Sequence, residues 1–236
     1  MILYQGDCLD VVPLHSFDVI FADPPDGIGL KYNEYKDKIV NYRYMLEQWL
    51  KCFTEAAPIV WFSFNPKWTL DFGTVAWYFL DKRPDWEWKQ FIQTFTFGQN
   101  NNNDCGVGHR PLWRFKHKDA PLYPDQIKVP SWRQLNGDKR AADGGRVPLD
   151  VWSFPRVTGN SKQRRAYHPT QLNEGLVERA LLLTTKEGDY VCDPFGGTGT
   201  TLRVCKRINR HCTLIEIDSM YCDKICEEHG IEKRQV

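Results

Sequence analysis

The stretch Val191-Cys192-Asp193-Pro194-Phe195-Gly196-Gly197-Thr198-Gly199-Thr200-Thr201 decides how this 236-residue chain is read. Its pattern predicts a strand over 190–192 that stops at Asp193, a glycine-rich turn, and a helix over 200–208. Glycines let a backbone pass close to a ligand, and a helix N-terminus offers free N–H groups to a carboxylate or phosphate. A second strand over 211–217 carries Glu216, an acid able to accept hydrogen bonds from ribose hydroxyls, as in nucleotide-binding βαβ units. No lysine follows the glycines in P-loop fashion, which argues against an NTPase. A glycine turn that merely packs is the weaker reading.

Outward from this turn the alternation of strands and helices continues. A helix is expected over 219–228, and another over 171–186, entered through His168-Pro169-Thr170 with Thr170 as N-cap. Near the N-terminus, Ile2-Leu3-Tyr4 reads as a strand, and Phe17-Asp18-Val19-Ile20-Phe21-Ala22 as a second. Residues 41–56 place Tyr42, Met45, Leu46, Trp49, Leu50 and Phe53 at helical spacing, closed by Pro58. Ile59 to Phe64 reads as a buried strand, followed by a helix over roughly 67–82. Such alternation predicts a Rossmann-like α/β domain with a mostly parallel sheet flanked by helices.

Residues 98–165 differ. They open with Gly98-Gln99-Asn100-Asn101-Asn102-Asn103-Asp104, are rich in Gly, Pro, Asn, Arg and Lys, and hold only short apolar runs (Leu112–Phe115, Val151–Phe154). They read as a small irregular lobe, with a few strands and long loops, inserted between 1–97 and 166–236, which together form one domain. Loops that long are more often functional than idle.

Composition sets outer bounds. With 42% apolar and 26% charged residues, the chain is neither disordered, collagen-like nor fibrous. No run approaches the ~18 apolar residues of a membrane span, and the first residues lack a secretory pattern. The eight cysteines form no CxxC pair, so core thiols are expected, with no disulfides, no metal site and a cytoplasmic location. The formal charge of +1 conceals an uneven distribution. Between 98 and 170, thirteen Lys+Arg face six Asp+Glu, interleaved with Trp113, Phe115, Tyr123, Trp132 and Trp152. Arg110, Arg114, Arg133, Lys162, Arg164 and Arg165 are the candidates for phosphate contacts in a nucleic-acid interface.

The second chemical signal is Asp23-Pro24-Pro25-Asp26, directly after a strand. Two prolines fix φ and remove two backbone donors, leaving a rigid turn that presents acceptors only. Such a site suits an exocyclic amino group, which has two N–H bonds to give. Taken alone the tetrapeptide is weak, because Asp-Pro turns are common. Beside the glycine turn it becomes strong.

Together these segments resemble the S-adenosylmethionine-dependent DNA amino-methyltransferases of the circularly permuted β-type. In that family a DPPY-like turn comes first, a target-recognition region second and an FxGxG cofactor turn last. The matching pieces are Asp23-Pro24-Pro25-Asp26, residues 98–150, and Phe195-x-Gly197-x-Gly199. Gly6-Asp7 after the first strand, Asp150-Val151-Trp152 and His168-Pro169-Thr170-Gln171, similar to the family's HPTQKP segment, extend the resemblance over essentially the whole chain.

The resemblance implies a class I methyltransferase fold and S-adenosyl-L-methionine as cofactor. It implies cofactor contacts from Asp7, Thr170, Gln171, Asp193, Phe195, Gly197, Gly199, Thr200 and Glu216, and a catalytic turn of Asp23, Pro24, Pro25 and Asp26. The partner would be double-stranded DNA with a flipped-out target base. A homodimer and a companion restriction endonuclease are compatible with this reading, and neither follows from it.

The chain departs from the family at two places. Asp26 stands where the turn carries an aromatic that stacks on the base, and Leu172 stands where HPTQKP has lysine. Tyr32 or Tyr35 are candidates for the missing ring, or Asp26 itself contacts the base edge. An initial Asp is common among adenine-N6 enzymes, whereas cytosine-N4 relatives often begin with Ser, so adenine N6 leads and cytosine N4 follows. RNA and protein-amide methyltransferases generally place the glycine turn first, which disfavours them. A non-catalytic DNA- or cofactor-binding relative is the third reading.

Overall fold

Strands buried on both faces read as continuous apolar runs, and helices beside them carry one apolar stripe. Both patterns are realised in a computed structural model, which describes residues 1–33, 37, 39–95, 102–140 and 144–235. In chain order the elements are β1 (Ile2–Gln5), α1 (Cys8–Val11), β2 (Val19–Ala22), α2 (Tyr42–Ala56), β3 (Ile59–Ser63), α3 (Thr69–Lys82), β4 (Trp86–Thr94) and β5 (His109–His117). They continue with α4 (Trp132–Leu135), β6 (Val151–Ser153), α5 (Glu174–Thr184), β7 (Tyr190–Asp193), α6 (Thr200–Arg207), β8 (His211–Glu216), α7 (Ser219–His229) and β9 (Lys233–Gln235).

Among the described residues the strands form one sheet in the order β6-β4-β5-β3-β2-β7-β8-β1-β9. β5 runs antiparallel to β3 and β4, and every other pairing is parallel. Successive side chains of a strand point to opposite faces. Accordingly Val19 and Phe21 join the core beneath α5, α6 and α7, while Ile20 and Ala22 join the core beneath α2 and α3. The α2 stripe, Tyr42, Leu46, Trp49, Leu50 and Phe53, is buried as its spacing predicts. The helix is capped by Asn41, whose side chain accepts from the Tyr44 N–H.

Three features differ from the sequence expectations. α5 begins at Glu174 with Asn173 as its cap, not Thr170. The preceding residues are held off helical geometry by side-chain bonds: Gln171 Nε2 donates to the Gln163 carbonyl, and its Oε1 accepts from the Arg165 N–H. Second, β4 and β9 carry no clear apolar alternation and went unread.

Third, the strands expected in 98–165 do not stand apart from the main sheet, because β5 lies inside it. It pairs with β3 from Leu112 to Lys116 and with β4 along its whole length. The buried Lys116 is accommodated by three carbonyl acceptors, those of His117, Lys118 and Ala120. Of the asparagine run that opens the region, Asn100 and Asn101 lie outside the described residues.

Candidate active site

β2 and β7 are neighbours, and their parallel carboxyl ends deliver the Asp23 turn and the glycine turn to one place. In open α/β sheets this is the switch point where ligands bind. A cavity of about 210 Å³ lies there. It is lined by Asp23, Pro24, Pro25 and Asp26, and by Asp7, Thr170, Gln171, Asp193, Phe195, Gly197, Thr200 and Glu216. Asp7 and Glu216, 209 positions apart in sequence (216 − 7), thus share one space.

Gly199 does not line the cavity. It caps α6 at φ +72°, and a Cβ there would meet His229 and Ile225. Its value is conformational, since a left-handed residue is needed at that cap. Gly197 has φ +49°, and a Cβ added to it would lie 3.2 Å from His168 Nε2.

Glu216 anchors the glycine turn. Its Oε2 accepts from the Gly197 N–H at 2.7 Å, and its Oε1 from the Asp218 N–H at 2.9 Å. Burial nevertheless pushes its carboxyl up to about 7. Asp193, which accepts from the Phe195 N–H at 3.0 Å, is likewise pushed up by burial to about 7. Two such carboxylates retain lone pairs and favour a ligand that brings donors or positive charge. Trp49, packed edge-on against Phe195 at 5.2 Å, supplies an apolar wall. Hydroxyl donors, a cationic centre and a flat ring system are what S-adenosylmethionine would bring, so the residues present fit it.

His168 also lines the cavity, a position outside the sequence-derived set although its segment was singled out. Burial lowers its imidazole to about 4. Its Nδ1 faces the Thr170 carbonyl, which can only accept, so the hydrogen resides on Nδ1. Nε2 is thereby an acceptor beside Gly197. Tyr32 meets His168 edge-on at 5.4 Å on this same cavity. Tyr35 lies outside the described residues.

The catalytic turn is braced from beneath. Tyr42 Oη donates to the Pro25 carbonyl at 2.6 Å, Trp68 Nε1 donates to the Asp26 carbonyl at 2.7 Å, and the two rings stack at 4.3 Å. Asp37, buried and unmarked by any sequence pattern, accepts from the N–H groups of Gly27, Ile28 and Leu30 and so fixes the chain just after the turn.

The basic candidates divide. Arg133 and Lys162 are exposed, and Arg164 is half-buried with its Nη1 donating to the Arg165 carbonyl. Three others are engaged by groups within the protein. Arg110 is turned into the cavity, where Nη2 meets Asp23 Oδ1 at 2.7 Å, Nη1 meets Asp26 Oδ1 at 2.9 Å, and Nε donates to Ser63 Oγ at 2.7 Å. Arg114 is buried in β5 over the rings of Trp61 and Phe91, because a central strand leaves its side chain no route to solvent. Arg165 is half-buried and paired with the Glu228 carboxylate of α7.

Comparison with known proteins agrees with this geometry. The family described as DNA methylase, covering N6 and N4 methyltransferases, matches residues 17–228. The type II methyltransferase M.BglII of Bacillus subtilis is 30% identical over 94% of this chain, and M.HpaI of Haemophilus parainfluenzae is 30% identical over 89%. The chain spans 66% and 67% of the lengths of those two proteins. Among solved structures, PvuII DNA methyltransferase (cytosine-N4-specific) superposes with a TM-score of 0.68 at 15% identity, covering 93% of this chain and 82% of that one. The M1.HpyAVI–SAM complex superposes at 0.65 and 17% identity, covering 98% and 99%. Sequence match and fold together establish that the chain belongs to the DNA methylase family of S-adenosylmethionine-dependent N6/N4 amino-methyltransferases.

Proposed function

We propose that this chain methylates the exocyclic N6 of adenine in double-stranded DNA. The observation that carries the reading is the cavity shared by the Asp23-Pro24-Pro25 turn and residues Gly196, Gly197 and Thr198 of the glycine turn. An aromatic amino nitrogen is a poor nucleophile, because its lone pair is delocalised into the ring. When bound, the sulfonium supplies the methyl electrophile.

The chain supplies position and acceptors. Asp23 accepts one amino hydrogen and the Pro24 carbonyl the other, since the Pro25 carbonyl is already taken by Tyr42. These two bonds favour a more pyramidal nitrogen, with its lone pair turned toward the methyl group. As the amino nitrogen takes the methyl group, Asp23 would accept its surplus proton and pass it to solvent, the C–S bonding pair staying with the cofactor. In-line positioning supplies much of the rate. The base reaches this site only when flipped out of the duplex, at a cost of a few kcal/mol.

Nucleoside analysis of DNA treated with the protein and labelled cofactor is expected to yield N6-methyladenine. Labelled N4-methylcytosine alone would replace this reading with the cytosine-N4 one. Cofactor binding with no transfer to any DNA would point to a non-catalytic relative.

The exposed Arg133 and Lys162 are proposed to contact phosphates. Replacing both by alanine is expected to weaken DNA binding and to flatten the log–log salt dependence by about one slope unit per lost contact. A salt titration of duplex binding checks this, and an unchanged slope removes both residues from the interface.

A further inference from the structure

Arg110 sits on the wall between two cavities. The first has been described, and a second of about 180 Å³ lies beside it, lined by the same Asp23, Asp26 and Arg110 and also by Phe95 and His109. The guanidinium spans the wall, holding Asp23 with one nitrogen, Asp26 with another and Ser63 with the third. All of its anchors lie far away in sequence: Asp23 and Asp26 follow β2, and Ser63 ends β3.

We propose that Arg110 is the positioning residue of the methyl transfer, orienting Asp23 and keeping it ionised while Asp26 holds Arg110 in place. The proposal rests on the reading of Asp23 as acceptor of the amino hydrogens. A carboxylate offers about four lone-pair sites, and one bond to Arg110 leaves room for the substrate's N–H. An unanchored Asp23 at the end of a strand would choose among rotamers, and a protonated one would present a donor where an acceptor is needed. The planar fork of arginine fixes both carboxylates at once, which a lysine point charge does not.

The electrostatics around Asp23 carry opposite signs from its two neighbours. Burial pushes its carboxyl up, Arg110 pulls it down, and Asp26 pushes it up again. The other titratable groups facing it are Asp193 from the end of β7, Tyr42 from α2 and Tyr32 from the loop after the turn. Burial alone would lower the Arg110 guanidinium, but Asp23 and Asp26 hold it above its ordinary value, so it stays charged throughout.

The test is the pH profile of single-turnover methyl transfer from labelled S-adenosylmethionine to plasmid DNA. An ionised Asp23 gives an acid limb whose midpoint follows its pKa. Arg110→Gln is expected to move that limb up by roughly 1–3 pH units, with the rate recovering toward higher pH. Arg110→Lys, which keeps the charge, should return the limb most of the way while the plateau rate stays low. Asp26→Asn should move the limb the other way, to lower pH.

A uniform rate loss with an unmoved limb in Arg110→Gln would overturn the proposal, as would a shift in the same direction for Arg110→Gln and Asp26→Asn. Should Arg110→Gln fail to fold, Arg110→Lys decides, and a plateau rate at the wild-type level in that variant overturns the proposal. Asp23→Asn separates the two levels. Undiminished transfer by that variant overturns the functional reading and this proposal with it. An inactive Asp23→Asn beside an unmoved Arg110→Gln limb overturns the proposal alone.

Discussion

Asp23→Ala is expected to lower single-turnover methyl transfer by roughly 10²–10³-fold, the scale of losing one preorganised hydrogen-bonding group at a reacting centre. Cofactor affinity should be largely spared. The contacts proposed for the cofactor come from Glu216, Asp193 and the glycine turn, which sit on β7 and β8 and touch Asp23 only across the cavity. The substitution also removes one of the two carboxylates that hold Arg110, leaving Asp26 as its remaining ionic partner. Some loss of stability should accompany the loss of rate, since breaking a buried ion pair leaves a charge partly uncompensated. Asp23→Asn keeps the shape and isolates the chemical effect. Rapid-quench transfer assays beside calorimetric titration with S-adenosylmethionine separate the two quantities. Turnover that survives in both variants would refute the role assigned to Asp23.

Gly197→Val should act in the opposite way and weaken the cofactor first. At φ +49° a β-branched residue is strained by about 1–2 kcal/mol, and its Cβ starts only 3.2 Å from His168 Nε2. The valine methyls extend further still, into space that the ligand needs. The turn cannot relax freely, because the Gly197 N–H is held by Glu216 and the Gly196 N–H by the Ile215 carbonyl at 2.8 Å. Affinity should fall by about tenfold or more, a loss of about 1.4 kcal/mol, because the branches exclude the ligand, while the backbone strain lowers the stability of the fold. Gly197→Ala should lose less, because it adds the Cβ contact without the branches. Isothermal titration of both variants is the check, and wild-type affinity in Gly197→Val would remove the glycine turn from the binding site.

Both turns were legible in the sequence for the same reason. Each is a short local pattern at the end of an apolar run, and its chemistry follows from the residues themselves. What escaped was what depends on distant partners. β5 holds Arg114 and Lys116 in its middle, which reads as a solvated charge run. Only the folded sheet shows Arg114 lying over Trp61 and Phe91 and Lys116 enclosed by three carbonyls. Such a strand can lie inside the sheet because Lys116 finds three carbonyls and Arg114 lies over two rings near Glu87, which no periodicity announces. Arg110 escaped similarly, since its partners lie 84 and 87 residues away and its neighbours in sequence suggest a basic surface. The ion pair of Arg165 was hidden by the same local charge density, as Glu228 sits 63 residues further on. Asp37 had no signal at all, being one acid among several in a polar loop.

The junction of β2 with β7 has a further consequence, in the order of events during folding. Its flanking bond, from the Tyr190 N–H to the Asp18 carboxylate, joins residues 172 positions apart, and β1 pairs with β8 and β9 over still longer spans. Closing loops of that size precedes the contacts that reward it, so long-range parallel pairing is intrinsically slow. The α2 and α3 hairpin around β3 can form early from nearby residues. The ligand cavity cannot, because one rim belongs to the first tenth of the chain and the other to the last fifth. A truncated or nascent chain therefore holds the acidic turn without its opposite wall. The capacity to hold a methyl donor arises only at the final closure of the sheet.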